Sequence, residues 1–228
     1  PVVELSAAPG RINADLTVGV DVASLPALRA SKGLASRGVQ LMGSGFIVTP
    51  ATAVALGLGK RPGLERHIRP YRNGRDLMAR SRDAWVLDFY GLASDTLRRD
   101  FPEAYQHLVE QVKEVRDASG RPVGRDINRR QTYRNGWWLF GEPRGDFRPA
   151  LAGLRRYIAT VETAKHRVFQ FLDAAILPDN KLIAFALDDA ADLAILSSRA
   201  HEAWYLANAG KLGLYDPGAV YVKSRCFA

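Results

Sequence analysis

A single cysteine, Cys226, stands in a chain of 228 residues. No disulfide framework can form within it, which fits a reducing compartment such as the cytoplasm. Histidine is nearly as scarce, with four scattered residues, so no zinc site is expected. His201-Glu202 starts a metalloprotease pair, but Tyr205 stands where the second ligand would have to be. No uninterrupted apolar run approaches the ~18 residues of a membrane-spanning helix, and no secretory signal is visible at the start. The chain opens at Pro1 without an initiator Met and reads as a piece of a longer protein.

Catalytic signatures are missing as well. Gly57-Leu58-Gly59-Lys60-Arg61 has the lysine of a phosphate loop, but neither the earlier glycine nor the following Ser or Thr. No Gly-x-Ser-x-Gly elbow occurs. A methyltransferase acting on amino groups needs a glycine-rich cofactor turn and an Asn/Asp-Pro-Pro-aromatic site. Neither is present, and Asp216-Pro217-Gly218-Ala219 is no substitute. Asp188-Asp189 is read as a helix start. No catalytic residue, metal ligand or cofactor site is therefore expected in this chain.

What the chain has is positive charge. Lys and Arg number 32 against 24 Asp and Glu, a formal charge of +8 with a pI near 9.8. That balance favours a polyanionic partner, of which nucleic acid is the commonest, although a merely basic soluble domain has the same totals. Arg dominates, and Arg suits bidentate recognition. With 47% hydrophobic and 25% charged residues, the chain can bury a sizeable core and is neither disordered nor membrane-like.

Patterning predicts an α+β fold, a twisted and mostly antiparallel sheet with packed helices. Strands are expected at residues 18–22, 34–40, 46–48, 85–89, 156–161, 168–172, 182–186 and 221–227, with a turn at 24–26. Thr49-Pro50 gives an N-cap with Pro at the first helical position, opening a helix over 51–58. Asn73-Gly74 is a strong turn signal. Helices are expected over 94–115, with a break near Pro102, over 148–154, and over 189–209, ended by Gly210-Lys211-Leu212-Gly213. Residues 116–135 read as a polar, arginine-rich connection carrying Arg116, Arg121, Arg125, Arg129 and Arg130 into Trp137-Trp138. The two Trp are expected to be core more than stacking platform, on opposite faces if extended.

Residues 68–77, 137–144 and 156–171, Leu196-Ser197-Ser198-Arg199 and residues 223–227 together resemble the target recognition domain of MmeI-type enzymes, large bacterial DNA methyltransferases of class I, many fused to a nuclease. Each motif is weak alone; their order is the stronger signal. The resemblance covers residues 33–228 and leaves 1–32 as a lead-in from the parent protein. It implies sequence-specific binding of double-stranded DNA within an adenine-N6 methyltransferase of a restriction–modification or related defence system. Catalysis and S-adenosylmethionine would belong to a separate domain of the parent chain, which would also be this module's partner. The family usually has a Gly-Gly-rich turn and a Pro-Phe-Pro ending. Here Asn208-Ala209-Gly210-Lys211 replaces the turn and the chain stops at Ala228, as if a final docking segment were removed.

Six mostly polar residues, Glu162-Thr163-Ala164-Lys165-His166-Arg167, join two strands and are more than a tight hairpin needs. Such a loop can enter the major groove, where each base pair presents its own donor and acceptor pattern. The resemblance makes it a specificity determinant. Glu162, Thr163, Ala164, Lys165 and His166 would then face the bases, Ala164 and His166 being the variable readers, with Arg167 on a phosphate. Arg130, Gln131 and Thr132 are the second reading candidate, since Gln pairs with adenine and Arg with guanine. Arg69, Arg72, Arg75, Arg129, Arg134, Arg199, Lys223 and Arg225 suit the DNA backbone. The alternatives are a single-strand or RNA binder that stacks bases on aromatics, a hydrolase of unrecognised type, and a basic protein–protein scaffold.

Overall fold

The computed structural model describes residues 28–210 and 219–227, with the single positions 10, 12 and 25. The strand expected at 18–22, the turn at 24–26, most of the lead-in and most of the 210–213 helix stop lie outside the described residues.

The fold is α+β, as the patterning predicts, but the sheet is divided. One four-stranded sheet has the order β2 (Ile47–Val48), β4 (Trp85–Leu87), β3 (Ile68–Arg72), β8 (Leu177–Pro178). The other has the order β1 (Ala35–Arg37), β9 (Leu182–Phe185), β5 (Arg156–Val161), β7 (Gln170–Asp173). Every pairing is antiparallel except β3 with β8. A two-stranded ribbon pairs β6 (Thr163–Ala164) with β10 (Ala219–Val220). The sheets meet where Val39 bridges Asp179, just after β1 and β8. Gly38 is required there, because a Cβ would stand 2.1 Å from the Pro178 carbonyl oxygen.

Alternation along the central strands builds two cores at once. Tyr157 and Ala159 of β5 face one side with Leu182 and Ala184 of β9. Ile158 faces the other with Ile183 and Phe185. Both faces are covered, so these strands read as near-continuous apolar runs. A third and larger core, around Phe46, Val86, Phe89, Leu97 and Leu108, fills the side of the first sheet.

Local chemistry decides the helices. Thr49 caps α1 (Pro50–Ala55), accepting from the Thr52 amide at 3.1 Å. The long periodic segment after Ala93 is cut at Phe101 into α3 (Ser94–Asp100) and α4 (Pro102–Leu108), with a π-turn over Val109–Lys113. Pro102 has no N–H to donate to the preceding turn, so it opens a new helix. Short helices α5 (Gln131–Asn135) and α6 (Arg148–Leu151) follow.

Three expectations need correction. Asn73-Gly74 is not a hairpin turn: Asn73 caps α2 (Gly74–Met78) in a reciprocal capping box with Asp76. The single helix over 189–209 is two, α7 (Ala190–Leu196) and α8 (Arg199–Asn208), because the Ser198 hydroxyl accepts from the His201 amide at 3.2 Å and starts a new helix. The strand at 221–227 is instead the short helix α9 (Lys223–Cys226).

Asp76 is buried yet charged. Its Oδ1 accepts from the Arg82 amide (3.0 Å) and Nε (2.9 Å), and Oδ2 accepts from Arg82 Nη2 (2.8 Å) and the Asn73 amide (3.0 Å). Burial pushes its pKa up, but Arg82 and the two amides outweigh that and hold it at about 2, below the ordinary 3.8. A folded-state pKa below the unfolded one gives stability that is complete above about pH 4 and lost as pH falls toward 2. Asp76→Asn is expected to cost about 1–3 kcal/mol at neutral pH. In urea titrations, the gap between wild type and variant should close between pH 4 and pH 2.

Candidate nucleic-acid interface

Each candidate reading segment is held at its base by one arginine, buried at Arg125 and half-buried at Arg167. Arg125 is only 5% exposed. Its guanidinium donates to the carbonyls of Leu41 (2.6 Å), Met42 (3.2 Å), Trp137 (3.4 Å) and Leu139. It stands near the rings of Phe46 and Tyr133, at 5.0 and 5.4 Å. Among the described residues no carboxylate pairs with it. Burial pushes its pKa down to about 10, so it stays charged at neutral pH. Next to it, Gly124 passes so close to Lys113 that a Cβ would stand 1.9 Å from that carbonyl oxygen.

Arg167 is the counterpart. It donates to the carbonyls of Ala219 (2.8 Å), Glu162 (3.4 Å) and Val161, and its guanidinium lies 4.9 Å from the Tyr221 ring and 5.1 Å from the Tyr205 ring. Burial lowers its pKa. Among the described residues, Nε of both arginines is buried without a partner.

Residues 162–167 are therefore not a solvated hairpin tip. Glu162 is 6% exposed; its carboxylate is held by Arg37 and by Lys181 Nζ at 3.1 Å. Its amide donates to the Lys181 carbonyl at 2.7 Å. A carboxylate so engaged is withdrawn from base edges, and Arg167 is withdrawn from phosphates. Thr163 and Ala164 form β6, with Ala164 opposite Ala219 and Thr163 opposite Val220. Ala164 is half-buried against the core that holds Tyr157. Lys165 and His166 remain as the exposed corner.

Other candidates are exposed on the helices α2, α8 and α9. Gly74, at the start of α2, sits where a Cβ would be 3.3 Å from Val161 Cγ1 at the end of β5, which brings the exposed Arg75 beside the connection. Arg199 is exposed in the first turn of α8. Helix α9 packs against α8 and presents Lys223 and Arg225 to solvent. Among the described residues, Arg75, Lys165, Arg199, Lys223 and Arg225 enter no ion pair.

Arg69 and Arg72 turn inward instead. Arg69 donates to the carbonyls of Ala174 (2.7 Å) and Ala175 (3.0 Å), and burial lowers its pKa. Arg72 donates to the Tyr71 carbonyl (3.2 Å) and stands 3.7 Å from Asp83. These contacts stitch β3 to the β7–β8 turn and to the approach to β4.

The second reading candidate is a helix, not a loop. Arg130 stands at the N-cap of α5, and Gln131 and Thr132 are exposed in its first turn. Gln131 Nε2 donates to Asn135 (2.9 Å), and its Oε1 accepts from Arg134, which also donates to the Asn128 carbonyl. Arg130 donates to the Tyr133 hydroxyl at 3.3 Å; Arg129 is exposed. This helix is tied through Arg125 to the third, larger core on the first sheet, whereas the Lys165–His166 corner belongs to the second sheet. The paired Trp lie in that larger core in an edge-on arrangement with ring centroids 5.9 Å apart. Trp138 Nε1 donates to the Leu92 carbonyl at 2.9 Å, and neither Trp is extended. His201 is a core group as well, 3.0 Å from the Tyr221 hydroxyl.

The two clamps predict separable effects. Arg125→Met leaves several carbonyls without a donor and is expected to destabilise the fold by about 2–4 kcal/mol. Hydrogen exchange should speed up at the α5 amides before it does at β5 or β9. Arg167→Met should reverse that order, loosening β6 and β10 while α5 keeps its protection.

No protein-family model matches the chain, and no curated protein matches it. Its fold is similar to that of part of a solved structure, the Type IIL restriction-modification enzyme MmeI in complex with DNA. The TM-score is 0.61 at 15% sequence identity, over 95% of this chain and 27% of the enzyme's. The chain thus spans little more than a quarter of the length of the enzyme it resembles, and the likeness is one of fold.

Proposed function

We propose that this domain binds double-stranded DNA and reads its sequence as the target recognition module of a larger adenine-N6 methyltransferase of the MmeI type. The carrying observation is a set of exposed cations that enter no ion pair among the described residues: Lys165 at the corner, Arg75 beside the end of β5, and Arg199, Lys223 and Arg225 on α8 and α9. Cations left without carboxylates suit phosphates, whose contacts fix register on a duplex. A corner pinned by β6 suits a groove. The fold likeness to an enzyme solved with DNA supports the same reading.

In this reading Lys165 and His166 face base edges, Ala164 sets how closely the corner approaches, and Arg75, Arg199, Lys223 and Arg225 hold the backbone. Arg129, Arg130, Gln131, Thr132 and Arg134 on α5 form a second contact. Glu162, Arg167, Arg69 and Arg72 act from behind, positioning the corner and β3. The paired Trp are inside a core, which speaks against a surface that stacks single-stranded bases. Methyl transfer belongs to the catalytic domain of the parent protein. This sequence has no glycine-rich cofactor turn, and in this reading S-adenosylmethionine is held by that catalytic domain.

Fluorescence anisotropy with labelled duplexes at several salt concentrations tests the reading. Arg75→Glu, Arg199→Glu and Arg225→Glu should each weaken duplex binding and flatten the salt slope by about one. His166→Ala should leave the slope intact and relax preference at one base pair, by roughly 1–3 kcal/mol. Equal affinity for single strands, or indifference to all three charge reversals, sinks the proposal.

A further inference from the structure

Where β1 leaves the second sheet and β3 and β8 lie in the first, a cavity of about 200 Å³ opens. Arg37, Arg69, Arg144 and Arg148 line it, and no carboxylate does. Much of the remaining wall is apolar, including Phe147 and Leu151. Pockets at the junction of two packed units, apolar with a few converging polar groups, are common ligand sites.

The carboxylates that balance this wall stand behind it and are too few. Asp88 accepts from Arg148 Nη1 and Nη2 (2.8 and 3.1 Å) and is 3.9 Å from Arg69 Nη1. Glu142 is 2.6 Å from Arg144 Nη1. Glu162 serves both Arg37 and Lys181. Four lining arginines, Arg37, Arg69, Arg144 and Arg148, thus share Asp88, Glu142 and a Glu162 that Lys181 also holds. Arg69 is pushed toward its neutral form by burial and, against the pull of Asp88, by neighbouring Arg148. An anion in the cavity relieves that repulsion.

A second observation is independent of charge. Arg144 has φ of +54°, a conformation that residues bearing a Cβ adopt at a cost. Its Nε donates to the Gly38 carbonyl at 3.0 Å, so a strained backbone fixes this guanidinium at the cavity wall. Strain of this kind concentrates at ligand clamps.

We infer that the cavity is a binding site for a compact organic anion, an apolar or planar body carrying one phosphate or carboxylate group. Arg69 and Arg148 are engaged by carbonyls and Asp88 and supply field. The remaining donors of Arg37 and Arg144 suit the oxygens of the head, and the wall formed by Phe147 and Leu151 covers the body. A bare inorganic anion leaves that wall uncovered, and so does a phosphate of a DNA backbone, whose neighbours are sugars.

Phenyl phosphate, titrated into the full chain and followed by amide chemical shifts, is the test. The expected result is a saturable response at Gly38, Arg144 and Phe147, with inorganic phosphate roughly tenfold weaker or more. Arg144→Gly removes the strained side chain, so its melting temperature should hold or rise while its affinity for phenyl phosphate falls roughly tenfold. Leu151→Trp should fill the cavity and block the ligand while duplex binding is unchanged. The inference is overturned by an absence of saturation, by equal affinity for inorganic phosphate, or by full binding in Arg144→Gly. Displacement of phenyl phosphate by duplex DNA also overturns it, since the head site would then belong to the nucleic acid backbone.

Discussion

Arg125 donates to carbonyl groups of Leu41 and Leu139, from segments far apart in the chain, and stands near two aromatic rings, with no carboxylate paired to it among the described residues. Such a group is costly to desolvate, and its Nε finds no partner among those residues. Carbonyl dipoles and ring faces are what hold it. The cost is offset by geometry, because one rigid planar donor fixes several stretches of irregular backbone that neither sheet organises. Arg167 repeats the device in the second sheet, joining the end of β5, the ribbon strand β10 and the rings of α8 and the β10–α9 link.

This divides the chain's positive charge into two populations. Arg69, Arg125, Arg148 and Arg167 are structural, engaged by carbonyls, by Asp88 or by ring faces. Arg75, Lys165, Arg199, Lys223 and Arg225 stand in solvent without partners among the described residues. A net charge of +8 therefore understates the contrast. Inside, cations are matched to backbone dipoles; outside, they stand in solvent, with a field that salt screens over roughly 10 Å.

Much of the fold was legible where burial alone decides. The runs at Arg156–Val161 and Leu182–Phe185 are strands because both faces of each are covered, and Thr49-Pro50 opens a helix by its own capping chemistry. Legibility failed where two local rules compete. Asn73-Gly74 satisfies a hairpin turn and an N-cap equally well, and Asp76 three residues on decides for the cap. Ser197-Ser198 sits inside a helical period, yet the Ser198 hydroxyl restarts the helix. The alternation in residues 221–227 suggests extension, while Cys226 and Tyr221 pack as a short helix and its lead-in. At the candidate interface the residue types were legible but the direction of each side chain was not. Glu162, Arg69 and Arg167 look like surface groups in a sequence, and only long-range pairing shows them turned inward.

That inward turn changes how the Lys165–His166 corner can work. A six-residue flexible tip would have to be ordered on contact, at a cost of about 1–2 kcal/mol per residue fixed. Here Glu162 is locked by Arg37 and Lys181, Thr163 and Ala164 are held in a ladder, and Arg167 anchors the return. Two residues are left to adapt. Ala164 lies between the buried and exposed parts of the corner, so its size governs how far Lys165 and His166 can advance without disturbing the ladder below. A corner built this way exchanges its exposed side chains without rebuilding its frame, because the groups that hold it upright are not the groups that would touch a partner.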